Sequence, residues 1–287
     1  MTSATTPVGA PATTATGTQR YFRRFTPIER VLHAALMLTF VGCALSGLPL
    51  LFSNKPWAAT LAGLLGGFQG AGLIHRICAF VMIVVFVSHV AMVFAKAFRG
   101  GGVLKVLWGP DSMVPQPQDI VDIYRNFKWF VGMGPQPQFD RWTYWEKFDY
   151  WAVFWGMFII GGSGLLLWFP VFWSHILPGW MFNIAALVHG EEALLAVGFI
   201  FTIHFFNGHL RPAKFPMDTV VFTGRISEHE MKEERLVQYE RLQKEGALAS
   251  AQTTPPADEA KWFGWVVGGT ALTLGIVAIV LIVTSVL

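Results

Sequence analysis

The chain has 287 residues, of which 53% are hydrophobic, 15% aromatic and only 14% charged, with a mean hydropathy of +0.48. That balance excludes an ordinary water-soluble domain and indicates several membrane-crossing helices. The net charge of +3 is too small to suggest a nucleic-acid partner.

Residues 1–19 are rich in Thr, Ala, Pro and Gly and lack the apolar core of a signal peptide, so they read as a disordered tail. Arg20, Arg23, Arg24 and Arg30 then precede a first span expected over 31–53, with His33 near its start. A second span is expected over 73–95. A polar segment, 96–149, follows and carries PQPQ twice, which we read as turn chemistry and not as a domain repeat. The third span, 150–173, contains Gly156, Gly161, Gly162 and Gly164, small residues that let a helix or a flat macrocycle approach the backbone. The fourth span is expected over 184–206. Residues 226–261 read as a charged exposed helix or linker, and 262–287 as a last, uncharged span. The expected fold is an all-α integral membrane protein: a four-helix transmembrane bundle over 20–225 plus a fifth C-terminal helix. All but Lys55 and Arg76 of the 21 lysines and arginines fall on one side of this arrangement. By the positive-inside rule that side is cytoplasmic. The expected location is the bacterial inner membrane, with the N-terminus cytoplasmic and the C-terminus periplasmic.

Four histidines distinguish the apolar spans. His75 and His89 are fourteen residues apart in the second, and His189 and His204 fifteen apart in the fourth. At 100° per residue each pair returns to within about 40–60° of one face, separated by about 21 Å of helix. Two such helices present one His–His pair near each membrane boundary. Neutral imidazole is a good axial ligand for haem iron, and ionisable groups inside a membrane are kept mainly for a task. The pattern therefore implies two b haems: His75 with His189 on the outer side, His89 with His204 on the inner side. Only Cys43 and Cys78 are present, with no Cys-x-x-Cys-His, which excludes c-type attachment and a cysteine-held iron–sulfur cluster. His33 is an alternative inner ligand or a quinone contact. Arg30, Asn207 and His209 offer polar groups for a quinone, menaquinone or ubiquinone, beside the inner haem. Near the outer boundary, Arg76 is placed to meet a haem propionate or to pair with Glu191 or Glu192.

The stretches RRFTPIERVLHAALMLTFVGCALSGLPLLF, LIHRICAF and LVHGEEALLAVGFIFTIHFFNGHLRPAKFPMD resemble the cytochrome b (gamma) subunits of membrane formate dehydrogenases and the wider cytochrome b/b6-domain proteins, over about residues 20–225. The formate dehydrogenase pattern implies His75 and His189 at the outer haem and His33 and His204 at the inner one, with quinone beside it. The b/b6 pattern selects His89 with His204 instead. The long middle loop and the fifth span depart from the formate dehydrogenase type. The resemblance implies an electron-transfer subunit of a multi-subunit oxidoreductase, not catalytic alone on a soluble substrate. It would link an iron–sulfur protein or c-type cytochrome at the outer face to the quinone pool. Two alternatives stand beside it. One is a conduit from quinol to periplasmic or extracellular c-type cytochromes. The other is a proton-coupled transporter using a His/Glu relay.

Overall fold

The computed structural model describes residues 19–212 and 214–287. Apart from Gln19, the expected disordered tail lies outside the described residues. Strand β1 (Tyr21–Arg23) leads into α1 (Pro27–Leu51). Thr26 and Glu29 form a reciprocal capping box there and Pro27 opens the first turn, so the first span starts ahead of its apolar run. A short α2 (Pro56–Leu64) turns the chain into α3 (Gly67–Lys96), which ends in a π-helical turn, Ala97–Gly101.

The polar segment after α3 is ordered: α4 (Val103–Trp108) and α5 (Pro117–Phe130) occupy much of it. Helix α5 turns a polar stripe inward, with Asp119, Asp122 and Asn126 buried. Lys147 Nζ meets both Asp119 oxygens at 2.8 and 2.9 Å, and Asn126 donates to Tyr144 Oη at 2.7 Å. The third span is α6 (Tyr144–Gly156), a π turn (Met157–Gly161) and α7 (Gly162–Trp168). It begins six residues before the expected Tyr150, because Thr143 and Glu146 cap it, and this brings Asp149 inside the helix. After α8 (Pro170–Ser174), the fourth span runs as α9 (Trp180–Phe199) and two π turns, Ile200–His204 and Phe206–Leu210.

The expected single helix over 226–261 is not what forms. Helix α10 (Val220–Thr223) ends at Gly224, whose φ of 72° suits glycine and whose missing side chain leaves room for Arg30. Strand β2 (Arg225–Ser227), α11 (Glu228–Glu234), α12 (Leu236–Lys244), α13 (Leu248–Ala251) and β3 (Gln252–Thr253) follow. The strands make an antiparallel sheet in the order β2-β1-β3, with Phe22 opposite Ile226 and Gln252. The helix breaks at Arg235 because that buried guanidinium is tied to the Arg141 carbonyl and to Glu146, both at 2.8 Å. Phe22, Val220, Ile226, Met231 and Tyr239 form the core of this extramembrane cap.

The last helix, α14 (Asp258–Val286), completes five helices, among the described residues, that are long and apolar enough to cross a membrane. Its buried seam is Gly264, Gly268, Ala271, Gly275 and Ala278. A Cβ at Gly275 would lie 2.0 Å from the Phe201 ring, so this close helix approach requires glycine.

Candidate functional site

His75 on α3 and His189 on α9 face each other with ring centroids 6.0 Å apart and planes at 78°. Each is held by the same three-part device on a neighbouring helix. His75 Nδ1 is 3.1 Å from the Cys43 carbonyl and 3.4 Å from Ser46 Oγ, with Gly47 against the ring. His189 Nδ1 is 2.9 Å from the Ile160 carbonyl and 3.3 Å from Ser163 Oγ, with Gly164 against the ring. Carbonyl, serine three residues on and glycine four residues on recur in both. A carbonyl only accepts, so each imidazole carries its proton on Nδ1 and keeps the Nε2 lone pair free. The π turn Met157–Gly161 loosens the helical ladder at the carbonyl His189 uses.

This arrangement fits an axially ligated haem. A metal bound to an imidazole nitrogen at about 2.0 Å lies about 3 Å from the ring centre, so two rings sharing one iron sit about 6 Å apart. The glycines leave both rings uncrowded on one side. Among the described residues no group of three or more His, Cys, Asp or Glu side chains is disposed to hold a metal. Two nitrogens alone suit a macrocycle that brings its own four.

The expected pairing of Arg76 with Glu191 or Glu192 is not formed. Glu192 Oε2 instead accepts from Trp155 Nε1 at 3.2 Å, across to the third span, and Glu191 is exposed. Among the described residues neither Arg76 nor Glu191 enters an ion pair.

At the other end of the bundle the expected partners regroup. His204 Nδ1 pairs with Asp149 Oδ2 at 2.9 Å. The His209 ring packs on Phe205 at 5.4 Å. His89 is not paired with His204. Its Nε2 is 3.0 Å from Tyr150 Oη and its ring sits against that phenol. Tyr150 thus stands at the nitrogen that a ligand would use. Among the described residues three buried polar atoms here have no partner: Arg30 Nε, Asp149 Oδ1 and His209 Nδ1. Asn207 makes no side-chain hydrogen bond among the described residues.

Asp149, Tyr150, Ser46, Gly47 and Ser163 had not stood out in the sequence, whereas Gly164 had, as a point of close approach. Their signal was there in the parallel strings SGLPLLF at 46–52 and SGLLLWF at 163–169, and in an aspartate at the foot of an apolar helix.

An all-helical membrane bundle with an imidazole pair built this way defines a b-haem electron-transfer protein. The sequence profile of the prokaryotic cytochrome b561 family matches residues 24–210, covering the first four spans, three of which bear these histidines. The chain belongs to that family and is a multi-pass membrane protein. A comparison with curated proteins finds no match. The family match supports a membrane b-type cytochrome without singling out the formate dehydrogenase type.

Proposed function

We propose that the chain is the di-haem membrane subunit of an oxidoreductase, moving electrons between a redox partner at the outer face and a quinone at the inner face. The observation that supports this most is the His75–His189 pair, 6.0 Å apart and doubly braced. Bound haem supplies reversible one-electron oxidation and reduction. His75 and His189 would hold the outer haem, and His204 with His33 the inner one. The carbonyls of Cys43 and Ile160 keep the outer ligands in one tautomer. Asp149 does the same for His204 with a negative charge, making that imidazole the more electron-donating ligand. Arg76, without an acidic partner, suits a haem propionate.

The inner end also suits a quinone. Among the described residues Arg30 Nε is a buried donor without an acceptor and His209 Nδ1 a buried ring nitrogen without a partner; a quinone carbonyl would satisfy the first, and the second offers a further polar contact. Asn207 lies two residues from His209, on the same π turn. An N-terminus on the cytoplasmic side, from the basic-residue bias, puts proton exchange on that side. The membrane formate dehydrogenase subunit is the finer resemblance that this reading favours, because it too uses the His33 position.

The test is a pyridine haemochrome assay with reduced-minus-oxidised spectra on purified protein. Two acid-extractable haems per chain are expected, with one lost in His75→Ala and in His189→Ala. A value near zero refutes the reading and favours the transporter. For quinone, His209→Ala should slow turnover with a short-chain quinol while both haems stay reducible by dithionite. Normal turnover there, with loss of turnover in Glu191 or Glu192 variants that retain both haems, moves the site to the outer face.

A further inference from the structure

The extramembrane cap contains a partly enclosed cavity of about 130 Å³, between β1, Asp111, Arg141 and α12. Phe22 and Ile226 supply an apolar floor, and the charged walls are three arginines, Arg23, Arg24 and Arg141, against one aspartate, Asp111. That aspartate is already engaged from outside, with Oδ1 accepting from Arg241 Nη2 at 2.9 Å. The lining is therefore electropositive.

Arg24 is the central group. It is only 4% exposed, and its guanidinium lies over Trp142 at 4.5 Å and Phe25 at 5.1 Å, which fix its plane. Its Nη2 donates to Glu146 Oε1 at 3.2 Å, but the same oxygen accepts from Arg235 Nη2 at 2.8 Å. One carboxylate serves two buried guanidiniums. Arg24 Nη1 is buried with no partner among the described residues. Arg141 donates through Nη2 to the Arg24 carbonyl at 3.0 Å and meets no carboxylate among the described residues. Burial, with Arg235 and Arg141 close by, pulls the Arg24 guanidinium down to about 9. A buried charge so poorly matched lacks a counter-ion.

We propose that this cavity is a binding site for a phosphate-type oxyanion, with Arg24 Nη1 and the Arg141 guanidinium as its main donors. Guanidinium forks match the oxygens of phosphate in pairs. The volume has room for a tetrahedral oxyanion, and the excess of arginine over aspartate suits a dianion. Two sources share that chemistry. Inorganic phosphate reaches the cap from solution. A lipid phosphomonoester headgroup is also near, since β1 leads within a few residues into the first span.

The experiment is titration calorimetry on the haem-loaded, full-length protein in detergent. Sodium phosphate is titrated against sodium chloride of equal ionic strength, and dihexanoyl phosphatidic acid against dihexanoyl phosphatidylcholine. Saturable one-to-one binding of phosphate supports the site with a free anion. Saturable binding of the phosphatidic acid alone supports it with a headgroup. Arg24→Gln also releases Glu146 and can disturb the cap, so Arg141→Gln, which breaks no ion pair, is the deciding variant. It should weaken binding at least tenfold with an unchanged haem spectrum. Absence of saturable binding by either ligand, or equal affinity in wild type and Arg141→Gln, overturns the proposal.

Discussion

A methyl group at Gly47 tests the outer ligand brace directly. A Cβ built there lies 3.0 Å from His75 Cε1 and 3.1 Å from Nδ1. Ordinary contact begins near 3.5 Å, so the ring must retreat by about 0.5 Å. Retreat from α1 stretches the 3.1 Å bond to the Cys43 carbonyl to about 3.6 Å, beyond hydrogen-bonding range. Losing that bond costs about 1 kcal/mol, and up to about 3 kcal/mol where the N–H is left buried and unpaired. At 1.4 kcal/mol per tenfold, Gly47→Ala should hold the outer haem roughly 5- to 150-fold less tightly. Gly164→Ala should do less. Its contacts with His189 are similar at 3.0 and 3.3 Å, but the 2.9 Å bond to Ile160 stretches only to about 3.4 Å, within range. Gly198, in the same fourth span, has nothing within 4 Å of an added Cβ, so Gly198→Ala is the neutral control. The assay is transfer of haem to an excess of apomyoglobin, followed by the loss of the b-type absorption. If Gly47→Ala retains haem as wild type and Gly198→Ala do, the brace does not govern ligation.

Other outcomes follow from the same geometry. Asp149→Asn removes a full negative charge 2.9 Å from His204 Nδ1. With an effective dielectric of about 20 over about 7 Å, the inner haem's midpoint potential should rise by on the order of 100 mV, with the outer one unmoved in a redox titration; equal shifts at both haems would refute action through His204. His33→Ala should lose one haem and His89→Ala none, and the reverse in haem counts would restore the His89–His204 pairing. Asp119→Ala leaves the buried Lys147 ammonium without its anion and should cost about 3–5 kcal/mol in chemical unfolding, most of it recovered in the Asp119→Leu/Lys147→Met double variant. Glu228 is held down to about 2 by hydrogen bonds from Arg20 and Lys232. Its folded value lies below its unfolded one, so its stabilisation is complete above about pH 4.5 and drains away as pH falls towards 2; pepsin should cut the cap faster across that window, and less pH-dependently in Glu228→Gln.

The spans were legible because apolar runs of that length have one stable solution in a bilayer, and the facing pair His75 and His189 because the two stand at matching depth near the same end of their spans. What escaped was set by partners far away in the chain. Residues 226–261 read as a charged helix or linker because Glu, Lys and Arg recur along them. Yet burying Met231 and Tyr239 against Phe22, some two hundred residues earlier, forces a break at Arg235 and a strand pairing that no local pattern encodes. Asp149 escaped for a related reason. A charge beside an apolar run reads as the end of a loop until the Thr143–Glu146 capping box starts the helix earlier.

The surroundings of His89 have a structural logic of their own. The first two spans and the next two repeat one arrangement: Ser46 and Gly47 brace His75 as Ser163 and Gly164 brace His189. Thirteen residues before Ser46 stands His33, and thirteen before Ser163 stands Tyr150. At the outer pole the repeat is filled by like residues, and both histidines converge on one centre. At the inner pole the repeat places unlike residues, His33 and Tyr150, and Tyr150 meets His89. Spacing along α3 and α9 alone makes His89 and His204 equivalent. What distinguishes them is the residue each meets on the neighbouring helix. An imidazole offers a second ligand, whereas a phenol offers a hydrogen bond and occupies Nε2. A Tyr150→His variant would therefore give His89 an imidazole neighbour, and additional bis-histidine haem absorption in that variant is the outcome this equivalence requires.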